Sequence, residues 1–366
     1  GAIADGSAAR RVFLLWFAGL GIAATASLFG VPRGSWLTAA VVYVVAIVGF
    51  SGANVFYDSL LVSVAPAGRT DFVSALGFAV GYLGGGLLFA LNVAMTLWPA
   101  AFGLADSAAA VRVSFPIVAA WWAAFSLPLL LYVREQRVRP RPEGGLAPVR
   151  EGLRELGDTF RRARELRAVL LFLVAYWLYI DGVHTVVRMA VDYGLALGFP
   201  SQTLVAALLI TQFVGFPAAL FFGRLGQRYG PRRGILVGIG VYVGVAVWGY
   251  GMHSLWEFYV LAAAVGLVQG GVQSLSRSLF ARLVPRERSA QFFGFYNMLG
   301  RFAAVLGPLL MGAVGYATGN PRLSILAIVV LFFAGALLLT RVHTPRSSPA
   351  AGGPADTEYH GGHHDG

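Results

Sequence analysis

Polar side chains interrupt stretches that are otherwise apolar, and their spacing sorts them into faces. Asn54 and Asp58 lie four apart; Asp181, His184 and Arg188 fall at i, i+3 and i+7; Gln269, Gln273 and Arg277 at i, i+4 and i+8; Asn297 and Arg301 at i and i+4. On a helix each set shares one face. An ionisable group in hydrocarbon costs several kcal/mol unless it is paired or hydrated, so each is a functional candidate. Asp181 and His184 could carry protons, since histidine titrates near neutrality and a half-buried carboxylate can be raised toward it; an internal ion pair is the alternative. Arg301, about 15 Å into its span at 1.5 Å per residue, could hold a carboxylate or tie helices together. An intramembrane enzyme would need a convergent acid–base or nucleophile set, and only Asp181 and His184 come close. The phosphate-loop pattern Gly-x-x-x-x-Gly-Lys-Ser/Thr does not occur, which argues against ATP as a direct energy source.

The elements that carry these residues follow from composition. The chain is 57% hydrophobic and 12% charged, against about 25% charged for a soluble domain. Ten segments are apolar over roughly the 20 residues a helical span needs: 12–30, 36–62, 73–97, 113–133, 168–187, 203–222, 234–252, 256–280, 291–316 and 323–340. Backbone amides in lipid need internal partners, so each is expected to be a helix. The first span, with Arg10, Arg11 and Ala24-Thr25-Ala26, imitates a cleavable signal peptide. Its counterpart at 234–252 lies deep in the chain, which argues against that reading.

All 28 basic residues are arginine, giving a net charge of +11. With loops assigned alternately to two sides, 22 arginines fall on one side and three, Arg33, Arg112 and Arg322, on the other. That asymmetry predicts a cytoplasmic position for the arginine-rich loops, including the linker and C-terminus, and makes nucleic acid an unneeded partner. There is no cysteine, hence no thiolate chemistry. Residues 134–167 read as a linker between two halves, 1–133 and 168–340. Its Leu153, Leu156 and Phe160 lie among arginines, as in a surface-lying amphipathic helix or a solvated one. Residues 341–366 read as a disordered tail, in which His360, His363 and His364 make a metal site less favoured than plain disorder.

The halves repeat. Gly1–Arg11 (GAIADGSAARR) and Gly223–Arg233 (GRLGQRYGPRR) begin with glycine, end with paired arginines and stand 222 residues apart. Asp58–Pro66 (DSLLVSVAP) matches Arg277–Pro285 (RSLFARLVP) at an offset of 219, which also pairs Arg69 with Arg288 and Gly81 with Gly300. Repeats in one order are the build of duplicated carriers. Two spans precede the motif in the second half and none in the first, which predicts a six-plus-six plan seen here as four plus six.

The Gly-x-x-x-Asp loop with trailing arginines resembles the signature loop of the major facilitator superfamily; Asp5 fits the pattern, and Gln227 stands where the second copy would carry an acid. More narrowly, NVFYDSLL at 54–61, GFAVGYLGGGLL at 77–88, YIDGVHTVV at 179–187, SRSLFARLVP at 276–285 and FFGFYNMLGR at 292–301 resemble the autophagy-related vacuolar amino-acid effluxers and their bacterial relatives. The resemblance implies an all-α, two-half membrane bundle that exports small solutes, amino acids being the best-known cargo. Expected partners are the lipid bilayer, a small solute and protons; no cofactor is implied, and a monomer in a bacterial cytoplasmic membrane is expected. A transport-inactive sensor or a polytopic enzyme are the rival readings.

Asp58 and Arg277, equivalent by repeat, are candidates for an inner gate that pairs when the carrier opens outward; alternatively each bonds within its own half. Gly1, Asp5, Arg10, Arg11, Gly223, Arg228, Gly230, Arg232 and Arg233 are candidate conformational latches, the glycines permitting tight turns and the arginines meeting helix ends, acids or anionic lipid. Plain topological anchoring would account for the arginines alone.

Overall fold

The protein is described here from a computed structural model that places residues 10–66, 68–133 and 167–343. Among these there are eleven α-helices and no strand. They are α1 (Arg10–Ser27), α2 (Trp36–Val64), α3 (Thr70–Leu97), α4 (Ser107–Tyr132), α5 (Arg167–Ala196), α6 (Ser201–Tyr229), α7 (Pro231–Tyr250), α8 (Leu255–Leu283), α9 (Ser289–Phe302), α10 (Leu306–Thr318) and α11 (Pro321–Thr340). By length and hydropathy they make ten candidate membrane spans, α9 and α10 together forming one. Gly1, Asp5, the linker helix and the His-rich tail lie outside the described residues.

The repeat has a structural counterpart. The ends of α2 and α8, Val64 and Leu283, and the starts of α3 and α9, Thr70 and Ser289, are each separated by the same offset of 219 as the sequence echo. In the first half α1 packs on α2 and α4; in the second α6 and α7 pack on α8, and α11 fills the space between α5, α7 and α10. The halves meet where α3 lies against α6 and α8, and α2 against α9. One end of the bundle gathers residues 65–66 and 68–69, Gly230 and 284–288, with Arg69, Arg224, Arg228, Arg232, Arg233, Arg282, Arg286 and Arg288. This is the arginine-rich end. Outward faces are strongly apolar: Trp36, Leu131, Tyr316 and Phe333 are each at least 70% exposed, a surface suited to lipid and costly in water.

Two expectations need correction. The GRLGQRYGPRR motif is not a loop from Gly223 onward, because α6 continues to Tyr229 and the turn is Gly230 alone, at φ +88°, with Pro231 opening α7. Glycine tolerates that left-handed φ, and proline suits a first helical position. Gly223 serves another purpose: a Cβ there would stand 2.5 Å from the Cβ of Ala75 on α3, so its bareness sets how closely the halves approach. The span expected over 291–316 is not one unbroken helix but two, α9 and α10, separated at Ala303–Val305. Pro308, in the first turn of α10, has no N–H to continue a helix backward, and the freed amides of α10 find a side-chain acceptor on α5.

Overpacking a close helix contact costs about 1–3 kcal/mol. Gly223→Val should therefore lower the melting temperature of the detergent-solubilised protein, whereas Gly240→Val, where a new Cβ meets nothing within 4 Å, should leave it near wild type. Equal melting temperatures for the two variants would contradict the close-approach role of Gly223.

Candidate functional site

Arg277 projects from α8, six residues from its end and so about 9 Å from the arginine-rich surface, into the first half. Its Nη1 donates to Asp58 Oδ1 on α2 at 2.9 Å, its Nε to Ser74 Oγ on α3 at 3.0 Å and its Nη2 to the Ser74 carbonyl at 2.8 Å. The guanidinium lies over the Phe78 and Tyr57 rings at 4.7 and 5.5 Å. The Asp58 and Arg277 side chains are only 13% and 6% exposed. The other carboxylate oxygen of Asp58 accepts from Asn297 Nδ2 on α9 at 3.0 Å. Equivalent positions of the two halves thus make a charge-assisted bond across the interface, rather than each bonding within its own half. A buried guanidinium needs this many acceptors, because desolvating it uncompensated would cost several kcal/mol. Tyr176, Tyr179 and Tyr296 wall the site from the second half: Tyr176 stacks on Tyr296 at 4.3 Å and Tyr179 shares a 2.7 Å hydrogen bond with Ser276.

A second cross-half cluster, which the sequence reading did not single out, lies one to two turns closer to the surface. Asp71, at the start of α3 and fully buried, accepts from Ser278 Oγ at 2.6 Å and from Arg282, both on α8. Ser74 Oγ donates to the Ser274 carbonyl at 2.7 Å. The available signal was Asp71 itself, an acid two residues before the expected span at 73 and otherwise attributable to the helix start. Farther out, Arg10 donates to the Arg286 carbonyl at 3.3 Å, also between halves. Arg224 lies over the Phe72 ring of α3.

The latch candidates separate on this basis. Arg10 bridges the halves and Gly223 sets their approach, whereas Arg228 lies over its neighbour Tyr229 and Arg232 donates to the Thr340 and Val342 carbonyls at the end of α11, within its own half. That last contact satisfies carbonyls at a helix C-terminus, where a cation is favoured. Gly230 forms the turn, Arg11 and Arg233 stand at the same end, and Asn54 sits one turn from Asp58 in a cavity of about 220 Å³ between α1, α2 and α4. Gln269 and Gln273 stay half-buried on α8, and the Gln269 carbonyl oxygen has no partner.

Asp181 occupies a different place from the proton path sketched for it. It is fully buried, and its two oxygens accept the backbone N–H groups of Leu306 at 3.0 Å and Gly307 at 2.7 Å. Thr185 adds a 3.2 Å hydrogen bond. The carboxylate therefore caps α10 at the helix break, where unsatisfied N–H groups favour an anion. Gly307 is needed there, since a Cβ would stand 1.9 Å from Thr185 Oγ1 and 2.8 Å from Asp181 Oδ1. His184, one turn on, lies near the backbone of Ala303, and its Nδ1 has no partner. Arg301, at the end of α9, points across the gap to lie 5.5 Å from the Phe50 ring of α2.

The family described as vacuole effluxer Atg22 like matches residues 1–67 and 63–352. The chain belongs to this family. It is 40% identical over 343 residues to the uncharacterized MFS-type transporter YxiO of Bacillus subtilis, a match spanning 93% of this chain and 79% of that protein. It is 28% identical over 288 residues to autophagy-related protein 22 of Yarrowia lipolytica, spanning 71% of this chain but only 48% of that relative. Solved structures of similar fold include the major facilitator transporter FucP in the outward conformation (12% identity, TM-score 0.64, 94% of this chain and 84% of that one) and the proton:xylose symporter XylE (14%, 0.68, 94% and 82%). This protein is accordingly a multi-pass membrane transporter of the major facilitator type. Its relatives are transporters, which sets the enzyme alternative aside.

Leaving a buried N–H without its acceptor costs about 1–3 kcal/mol. Asp181→Ala and Gly307→Ala should each lower the melting temperature, the first by orphaning the amides of α10 and the second by displacing the carboxylate. Combining them should cost less than the sum of the two, because both break one interaction. Full additivity would contradict the cap.

Proposed function

We propose that this transporter is a secondary carrier that exports small polar solutes, amino acids foremost, from the cytoplasm of a bacterial cell by alternating access. On this reading the arginine-rich end is cytoplasmic, in keeping with the positive-inside bias, and the conformation described is open outward. The observation that carries the reading is the Asp58–Arg277 pair. It joins repeat-equivalent positions of the two halves, and it lies with the Asp71 cluster and Arg10 at a single end. A bundle with no need to open would gain little from placing buried charge on that seam, because a well-packed apolar contact of similar volume is often at least as stable. Export of amino acids is supported by the Atg22-like family match together with the resemblance of the spans to amino-acid effluxers. Of the two groups suggested for proton coupling, Asp181 is committed to the helix break, which leaves His184 as the candidate carrier.

Proteoliposomes containing the purified chain, preloaded with each amino acid in turn, should show counterflow of at least one labelled amino acid. Asp58→Arg and Arg277→Asp should each abolish it and the double exchange should restore a measurable part. No flux in wild type would instead favour a transport-inactive sensor, and a double exchange no better than either single change would remove the pair from the gate.

The chain has no native cysteine, so a single Ser59→Cys reporter, at a fully buried position beside the seam, can read closure directly. A membrane-impermeant maleimide applied from the arginine-rich side should label it slowly in the wild-type background and several-fold faster with Arg277→Gln or Asp71→Asn. Unchanged labelling would contradict a closing role for these contacts.

A further inference from the structure

We infer that His184, Arg188 and Arg301 together form an anion site that takes the carboxylate of the transported solute; this deepens the carrier reading above and rests on it. Three observations converge. The three side chains, from α5 and α9, lie within electrostatic reach of one another. Both arginines are exposed, and among the described residues neither has an ion-pair partner: Asp192, one turn beyond Arg188, does not reach it. The acid on the same face of α5, Asp181, is committed elsewhere, its two oxygens occupied by the Leu306 and Gly307 N–H groups and by Thr185.

Two guanidinium groups at membrane depth with no acid to neutralise them are unfavourable unless an anion or water is admitted. Their direction indicates which space serves them. Arg301 lies over Phe50, which belongs to the opposite half, so its guanidinium is turned toward the first half. His184 adds a neutral donor or acceptor, its unpartnered Nδ1, beside the two charges. Arginine presents a planar fork that matches a carboxylate, and two of them can hold one anion from two sides.

The neighbourhood also favours a zwitterion over a simple acid. Asn297 precedes Arg301 by one turn of α9, about 6 Å along the axis, and it donates to Asp58. Asn297 thereby ties an acidic group, Asp58 of the first half, to the helix that carries Arg301. On this geometry the carboxylate docks on Arg188 and Arg301, and the ammonium competes with Arg277 and Asn297 for Asp58. Binding of solute would then loosen the contact that closes the arginine-rich end.

The test is ligand-induced thermal stabilisation of the purified full chain in detergent, which does not depend on flux. The probes are each of the twenty L-amino acids, the corresponding amino amides that lack the carboxylate, lactate, and inorganic phosphate. At least one amino acid should raise the melting temperature and its amide should not. Its apparent affinity should fall at least about tenfold in Arg301→Gln and Arg188→Gln, with partial retention in Arg301→Lys. The comparison of acid with amide on the wild-type protein stands even if a variant folds poorly. The assignment is overturned if no carboxylate stabilises the protein, if the amide or inorganic phosphate does so as well as the acid, or if the glutamine variants bind like wild type. Counterflow of a solute without a carboxylate would overturn the anion site while leaving the carrier reading intact.

Discussion

The structure depends on how a buried guanidinium is satisfied. Arg277 belongs to the second half, yet the three hydrogen bonds of its head group all end on the first, at Asp58 and Ser74. A charge in so dry a place must keep partners or regain water, and removing one partner of such a pair costs about 3–5 kcal/mol. The two halves can therefore separate at this end only by admitting water or by offering Asp58 and Arg277 replacement partners. That constraint makes the seam two-state: bonded and dry, or open and wet. The surrounding features keep the bonded state compact, from the Asp71–Ser278–Arg282 cluster to the bare Gly223 that lets α6 lie against α3.

The helix break in the second half solves a different problem with similar chemistry. Interrupting a span leaves amide groups without acceptors at a depth where water is scarce. Asp181 and Thr185 on α5 supply the acceptor, and the absence of a side chain at Gly307 lets the carboxylate reach it. The consequence is positional. With Asp181 engaged there, His184, Arg188 and Arg301 are left without an acidic partner beside the space between the halves. A negative charge used for structure thereby leaves positive charge free for a ligand.

Much of this was legible in the sequence, for identifiable reasons. Long apolar runs must be helices in lipid, so ten spans could be read, although the second-half helices α5 and α6 run nine and seven residues past the expected ends at 187 and 222. The offset of 219 identified Asp58 and Arg277 as equivalents and as a candidate pair; what periodicity could not decide was whether they meet across the halves or each bonds within its own, and the 2.9 Å contact answers that. Asn297 was grouped with Arg301 because they share a helix face, yet their partners differ, Asp58 for one and the Phe50 ring for the other. The Asp71 cluster was missed because charges near a membrane surface have a sufficient topological explanation. The break after Phe302 was missed because residues 302–316 carry no charge and read as a continuation of the same apolar run, although Gly307-Pro308 was a usable signal. The capping role of Asp181 was beyond reach, because only tertiary structure shows that its oxygens face the amides of α10.

The central claim is that the cross-half contacts at the arginine-rich end decide which end of the carrier is shut. The most direct measurement is the distance between spin labels attached to paired cysteines on α3 and α8 at that end, and on α2 and α8 at the other, in lipid nanodiscs. The account predicts a short distance at the arginine-rich end in wild type, which lengthens in Asp58→Asn/Asp71→Asn while the opposite end contracts. Distances that stay fixed at both ends when these carboxylates are neutralised would contradict it.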